Sequence, residues 1–168
     1  MKIKWAILTF VFLSNSVLAV SQPFKFKGYI LKGGCSVRQT EEVSLGKIEL
    51  DKLRSSGYSD STPFKISFYN CDTVIDLAVA MRFTADTYSG VANKIKPSVS
   101  PDNTKYAIGV YFNNKPIVLN GDVLEPIGYS GKIEQFDMNF TARLEALDKK
   151  KLVPGHIEGS LFFEVEYN

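Results

Sequence analysis

The sequence is poor in the residue types that build most catalytic and metal sites. It has a single histidine, His156, and two cysteines among its 168 residues. Zinc and copper sites need several histidine or cysteine ligands, so such centres are not expected, and we predict no cofactor. A nucleophile elbow, a P-loop and a dinucleotide-binding glycine motif are also missing. An enzyme with a small-molecule substrate is therefore not expected.

An excess of charge of one sign is lacking too. The formal charge is +2, but residues 1–19 contain Lys2 and Lys4 and no acid, and the rest of the chain has 18 basic and 18 acidic residues. Nucleic-acid binding needs a net basic face that displaces counterions from phosphates. A nucleic-acid partner is therefore not predicted.

A hydrophobic run long enough to cross a bilayer is also missing. The longest mostly apolar run covers the nine residues 5–13, whereas a membrane-spanning helix needs about 20. The run follows two lysines and precedes Val17-Leu18-Ala19, a small-x-small cleavage signature. We predict a signal peptide over residues 1–19 and an exported mature chain that begins at Val20.

Export determines how the two cysteines are interpreted. In an oxidising compartment a single pair of cysteines usually forms one disulfide, so Cys35 and Cys71 are predicted to be bonded. The loop they close spans 37 residues counting both ends. In the chain-entropy model such a crosslink contributes about 3.8 kcal/mol to stability.

Period-two alternation dominates the mature chain. In the clearest stretch, residues 134–144, apolar residues share one face and polar residues the other, which is typical of a half-buried antiparallel strand. A weaker strand is predicted over residues 43–50 and a helix of one or two turns near 49–54. The apolar faces of the clearer strands are Phe136, Met138, Phe140, Ala142 and Leu144; Phe64, Ile66 and Phe68; Ile75, Leu77, Val79, Met81 and Phe83; Ile108, Val110 and Phe112; and Ile157, Leu161, Phe163 and Val165.

Several short strands separated by turn residues predict an all-β sandwich, with a β-barrel as the structural alternative. The two ends of the mature chain stand out. Residues 20–34 alternate sharply, with Phe24, Phe26, Gly28 and Ile30 on one face. Residues 161–168 form a strongly apolar strand that we expect to be tied down by a neighbouring strand or by a partner.

In combination these features resemble the pilus subunits of the chaperone–usher pathway, the type 1 fimbrial proteins. The resemblance covers essentially the whole mature chain. The segments that carry it are the arm with Gly28; Cys35-Ser36-Val37; Val43-Ser44-Leu45-Gly46; residues 63–71; Ala107-Ile108-Gly109-Val110; Phe140-Thr141-Ala142-Arg143; Val153-Pro154-Gly155; and the penultimate Tyr167. The segment around the first cysteine is most similar to a minor, adaptor-like subunit.

The resemblance implies an incomplete immunoglobulin-like β-sandwich, a pilin fold lacking its last strand, over residues 35–168. Residues 20–34 would be a donor-strand arm, and the last strand, from about His156, would flank an open groove. A periplasmic chaperone would first fill the groove and hold the carboxylate of Asn168; at an outer-membrane usher the arm of a neighbouring subunit would replace it. The implied acceptor residues are Gly155, Ile157, Leu161, Phe163, Val165, Tyr167 and Asn168. The subunit would pass through the periplasm into a fimbrium on the bacterial surface.

Four alternatives stay open at this stage. The chain fits a major rod subunit or a terminator as well as an adaptor. It also fits a self-contained secreted sandwich that binds a small ligand, and a hydrolase that uses His156 is the weakest candidate. A two-domain adhesin is disfavoured, because the 149 residues that follow the leader leave no room for a separate lectin domain.

Overall fold

A computed structural model of the chain describes residues 34–39, 42–71, 78–102, 104–121, 127–128 and 133–167. The predicted leader, residues 20–33 of the predicted arm with its four named residues, Ile75, Leu77 and Asn168 lie outside the described residues. The strands are β1 (Ser36–Gln39), β2 (Thr62–Tyr69), β3 (Ala78–Thr84), β4 (Thr87–Tyr88), β5 (Val91–Ile95), β6 (Tyr106–Phe112), β7 (Lys115–Pro116), β8 (Ile127–Gly128), β9 (Gln135–Ala146) and β10 (Phe162–Tyr167), with one helix, α1 (Leu50–Ser56), and a 3-10 turn at Lys149–Lys151.

The strands form two antiparallel sheets. The larger has the order β1-β2-β9-β6-β5-β4, with β7 also paired to β6, and the smaller has the order β10-β3-β8. Apolar residues of the two inner faces form the main core. The predicted all-β sandwich is confirmed, and no helix within the described residues is long and apolar enough to cross a membrane.

The strand β9 shows why the alternating pattern predicts this fold. Met138, Phe140, Ala142 and Leu144 are buried, while the outward-facing residues between them are exposed or half-buried. The rings of Phe64 and Phe112 pack on Phe140 with centroids 5.4 and 5.1 Å away. Full burial of a Phe side chain is worth roughly 1.5–3 kcal/mol. Phe140 is fully buried and the other two rings are half-buried, so their packing stabilises the inner face of the larger sheet.

The predicted strand over residues 43–50 is wrong. Residues 42–49 are not part of any described β-ladder, and Leu50 begins α1. Gly46 has a φ of +71°, a left-handed conformation that interrupts extended pairing. The predicted short helix is confirmed, and Gly57 ends it with a φ of +91° and a hydrogen bond from its N–H to the carbonyl of Leu53.

The predicted start of the last strand at His156 is also wrong, because β10 begins at Phe162. The preceding segment is held by the loop after β5 instead of by β3. The N–H of Ser98 donates to the carbonyl of Glu158 over 2.8 Å, and the N–H of Glu158 donates to the carbonyl of Val99 over 3.0 Å.

Candidate functional site: an open groove between two chain segments

The described structure contains a groove of about 1060 Å³. Its floor is the inner face of the larger sheet. Residues 42–48 with Leu50 and Leu53 form one wall, and residues 153–163 form the other. The apolar floor residues are Phe64, Ile66, Ile95, Tyr106, Ile108, Val110, Ala142 and Leu144.

The first wall consists of irregular chain that has no strand partner within the described residues. Val43, Leu45 and Ile48 are half-buried against the core, whereas Ser44, Lys47 and Glu49 are exposed. Within the described residues, no strand pairs with residues 42–49. Among the described residues, this wall is therefore held to the core by its side chains and not by strand pairing.

The second wall leads into β10, which pairs with β3 from Phe162 opposite Thr84 to Tyr167 opposite Val79. No strand of the described residues pairs with the other side of β10, so it is an edge strand in the sheet as described. Phe163 points toward the core, whereas its neighbour Phe162 is 68% exposed. Such an edge is a template for an added strand.

Residues 153–159 are fastened to the rest of the domain at several points. The hydroxyl of Tyr106 donates to the carbonyl of Val153 and accepts the N–H of Val153 over 2.8 Å. A Cβ on Gly155 would lie 2.6 Å from Cβ of Pro101, so no side chain fits there without movement of this segment. These contacts hold the second wall at a fixed distance from the floor.

Tyr167 closes the sandwich where the described chain begins. Its hydroxyl donates to the carbonyl of Cys35 over 2.9 Å, and a Cβ on Gly34 would lie only 3.0 Å from its ring. Burial raises the pKa of the Tyr167 hydroxyl above its ordinary value. The predicted disulfide between Cys35 and Cys71 is present.

The structure brings part of the predicted acceptor set together. Gly155, Ile157, Leu161 and Phe163 all line the groove. Val165 and Tyr167 pack on the same core but lie beyond the groove, and Asn168 is outside the described residues. Sequence reasoning missed the opposite wall, for which the alternation of Val43 and Leu45 just before Gly46 was the available signal.

The outer face of the larger sheet carries a charged cluster. Glu145 accepts hydrogen bonds from Lys94, Tyr111 and Arg143, and the Arg143 guanidinium lies between the rings of Tyr58 and Tyr111 at 4.3 and 4.5 Å. Burial alone would raise the pKa of Glu145, but these hydrogen bonds outweigh it and lower that pKa. A Cβ on Gly109 would lie 2.5 Å from Oε1 of Glu145, so this glycine makes room for the cluster.

His156 lies on the rim of the groove, where its side chain contacts Glu158. Its side chain is 73% exposed, and Nε2 is 2.7 Å from Oε1 of Glu158. Among the described residues, its recorded contacts include no serine or cysteine nucleophile. The arrangement is an exposed polar contact between two side chains of the same segment.

Two comparisons concern the fold. The P pilus rod subunit PapA superposes with a TM-score of 0.67 at 18% identity, covering 80% of this chain and 99% of PapA. The P pilus adaptor subunit PapF superposes with a TM-score of 0.54 at 18% identity, covering 80% of this chain and 96% of PapF. At this identity the likeness shows a pilin fold, an incomplete immunoglobulin-like sandwich.

Two comparisons concern the sequence. The chain is 26% identical over 170 residues to the Major MR/P fimbria protein of Proteus mirabilis (strain HI4320), covering 92% of this chain and 90% of that protein. The sequence model described as "Fimbrial protein" matches residues 24–168, which include the groove, the disulfide and the Tyr167 contact. The chain therefore belongs to the fimbrial protein family, whose members are structural subunits of surface pili.

Proposed function

We propose that this protein is an internal subunit of a chaperone–usher fimbria, and that it polymerises by donor-strand exchange during assembly of an adhesive fibre on the bacterial surface. The observation that carries the proposal is the groove, because beside its apolar floor the outer edge of β10 and residues 42–49 have no strand partner within the described residues. A single inserted strand could pair with β10 and lie beside residues 42–49. Main-chain hydrogen bonds would then supply affinity, and pockets for alternate side chains would supply specificity.

The donor would be the arm of a neighbouring subunit, residues 20–34. Phe24, Phe26 and Ile30 alternate on one face, as the side chains of a strand lying on the floor must. Their burial has an upper limit of about 9 kcal/mol before the costs of ordering. Gly28 interrupts the apolar row, which suits a point where the donor backbone approaches the acceptor closely.

The acceptor residues would be the ones that β10 and its preceding wall place along the groove. Gly155, Ile157, Leu161 and Phe163 line the groove. Val165 and Tyr167 continue the inner face of β10, and Asn168 would present the C-terminal carboxylate to the chaperone. In this proposal the protein is structural and performs no catalysis.

The proposed partners follow from the apolar lining and unpaired edges of the groove. An apolar groove with free edges is a hazard for aggregation before assembly. We propose that a periplasmic chaperone covers it after export and cleavage after residue 19, and that an outer-membrane usher exchanges the chaperone strand for the arm of the next subunit.

Two positions in the fibre remain to be distinguished. The segment around Cys35 favours a minor, adaptor-like subunit, whereas the similarity to a major fimbria protein favours a rod subunit. Quantitative mass spectrometry of isolated fimbriae separates them. One or a few copies per fibre would support the adaptor position, and a large excess over every other subunit would support the rod.

The proposal is tested by thermal unfolding of the chain lacking residues 1–31, with and without a peptide of residues 20–31. We expect a marginally stable domain whose midpoint rises strongly with the peptide, because a ligand that binds only the folded state stabilises it. A peptide carrying Gly28→Phe is the matched control and should give little rise. A stable monomer that is indifferent to both peptides would instead favour a closed sandwich that binds a small ligand.

A further inference from the structure

The residue that carries this inference is Tyr167, the last described residue of β10. Its hydroxyl donates to the carbonyl of Cys35, and its ring lies against Gly34. Gly34 and Cys35 are the residues through which the proposed arm joins the domain. The strand proposed to receive a neighbour's arm is therefore in direct contact with the root of the subunit's own arm.

The root of the arm is attached to both sheets at this point. The disulfide joins Cys35 to Cys71, two residues beyond the end of β2 in the larger sheet. Tyr167 joins Cys35 to β10 in the smaller sheet. The Cys35 position thus bridges the sandwich through one covalent and one hydrogen-bonded link.

Tension along a fibre would load the disulfide and the hydrogen bond from Tyr167 to Cys35. If the subunit donates one strand and accepts another, a pull enters through its own arm at Gly34 and leaves through the strand held beside β10. The disulfide links Cys35 covalently to Cys71, so force from the arm also enters the larger sheet just after β2. The shortest described route from Cys35 to the acceptor strand is then the hydroxyl of Tyr167.

We propose that Tyr167 is a tension-bearing link that passes force from the root of a subunit's donor arm directly to its own acceptor strand. The inference rests on the proposed function. Without the link, force reaches β10 through β2 and the apolar contacts between the sheets, which are non-directional. A partly buried hydrogen bond resists displacement along its own direction.

The test is single-molecule force spectroscopy on the chain 20–168 with its groove saturated by the 20–31 peptide. One handle is placed at residue 20 and the other on the C-terminal end of the peptide, and the lifetime of the complex is measured at constant force. We expect Tyr167→Phe, which keeps the ring and loses the hydroxyl, to shorten that lifetime about fivefold, as the loss of one hydrogen bond predicts.

The chain offers a matched control. The hydroxyl of Tyr88 also donates to a main-chain carbonyl, that of Tyr106, away from the arm root. Tyr88→Phe should leave the lifetime under arm pulling within about twofold of the wild type. Gly34→Ala, whose new Cβ would press on the Tyr167 ring, should act like Tyr167→Phe and gives a second route to the same link.

Pulling geometry separates a force-bearing role from a structural one. With the first handle inserted between Asn113 and Asn114, in the exposed turn after β6, force does not pass through Cys35. Tyr167→Phe should then match the wild type. Two results would overturn the proposal without affecting the evidence for peptide binding. One is that the wild type and Tyr167→Phe have equal lifetimes under arm pulling. The other is that Tyr167→Phe shortens the lifetime equally in both pulling geometries. Failure of the wild-type chain to bind the peptide would overturn the proposed function, and this inference with it.

Discussion

A Cβ placed on Gly155 would lie 2.6 Å from Cβ of Pro101, so the wall of the groove and the loop after β5 touch at a point where only glycine fits. Together with the pairing of Glu158 to Val99, this contact sets the position of the second wall. Further along the same wall, a Cβ on Gly159 would lie 2.9 Å from Cδ1 of the floor residue Ile108, so the wall also approaches the floor closely there.

Substitution at this contact should therefore change the groove. Gly155→Val is expected to lower stability by about 1–3 kcal/mol, the usual cost of overpacking, and to weaken binding of the 20–31 peptide. Gly121→Ala is the control, since its new Cβ would make an ordinary contact of 3.4 Å with Val118. Urea unfolding and a peptide titration measure both effects. Unchanged peptide affinity in Gly155→Val would show that this contact does not shape the groove.

Two neighbouring phenylalanines on β10 should behave differently. Both side chains line the groove, but Phe163 packs on the core, whereas Phe162 is 68% exposed. We expect Phe163→Ala to cost about 2–3 kcal/mol, somewhat below the loss for a fully buried Phe, and to reduce peptide affinity at least tenfold. Phe162→Ala should change stability by no more than about 0.5 kcal/mol. Equal effects of the two substitutions would argue that the strand does not bind on the inner side of β10.

Acid should weaken the outer charged cluster. Because the folded-state pKa of Glu145 is lowered, its contribution to stability is present above the unfolded-state pKa and disappears as the pH falls through the folded-state value. Glu145→Gln should therefore be less stable than the wild type at pH 7, and the difference should shrink steadily below about pH 4.5. The exposed Glu49→Gln serves as the control. A stability difference that stayed constant from pH 7 to pH 2 would contradict the assignment.

Loss of the disulfide should destabilise the domain mainly through the unfolded chain. Replacement of both Cys35 and Cys71 by alanine is expected to lower the free energy of unfolding by about 3.8 kcal/mol in the chain-entropy model. Urea unfolding of the oxidised wild type, the reduced wild type and the double variant measures it. The reduced protein and the double variant should agree, and no loss on reduction would show that the bond adds nothing to stability.

The strands with strict alternation could be predicted from the sequence, because one buried face leaves a period of two. β9 is the clearest case, and β2 and β6 follow it. β5 carries Ala92, Asn93 and Lys94 in its middle, and Asn93 has a φ of +64°. β5 is stabilised by its pairing with β4 and β6, and this pairing cannot be predicted from the local sequence.

The groove could be predicted only in part. The residues of the second wall stand in one stretch of sequence, so their shared face was visible. The wall over residues 42–49 lies more than 100 residues away along the chain, and its position depends on long-range packing. Each wall also contains a residue that breaks the strand pattern in the sequence. Gly46 in the first wall adopts a left-handed conformation, and Pro154 in the second wall lacks a backbone N–H.

The most direct test of the central claim, that the groove takes up an added strand, is amide hydrogen exchange of the chain lacking residues 1–31 with and without the 20–31 peptide. We predict that the peptide slows exchange at alternate amides of β10, those that do not already pair with β3, and at amides within residues 42–49. The amides of β2 and β9, which pair on both sides already, should change least. Exchange along both walls that is unaffected by saturating peptide would contradict the claim.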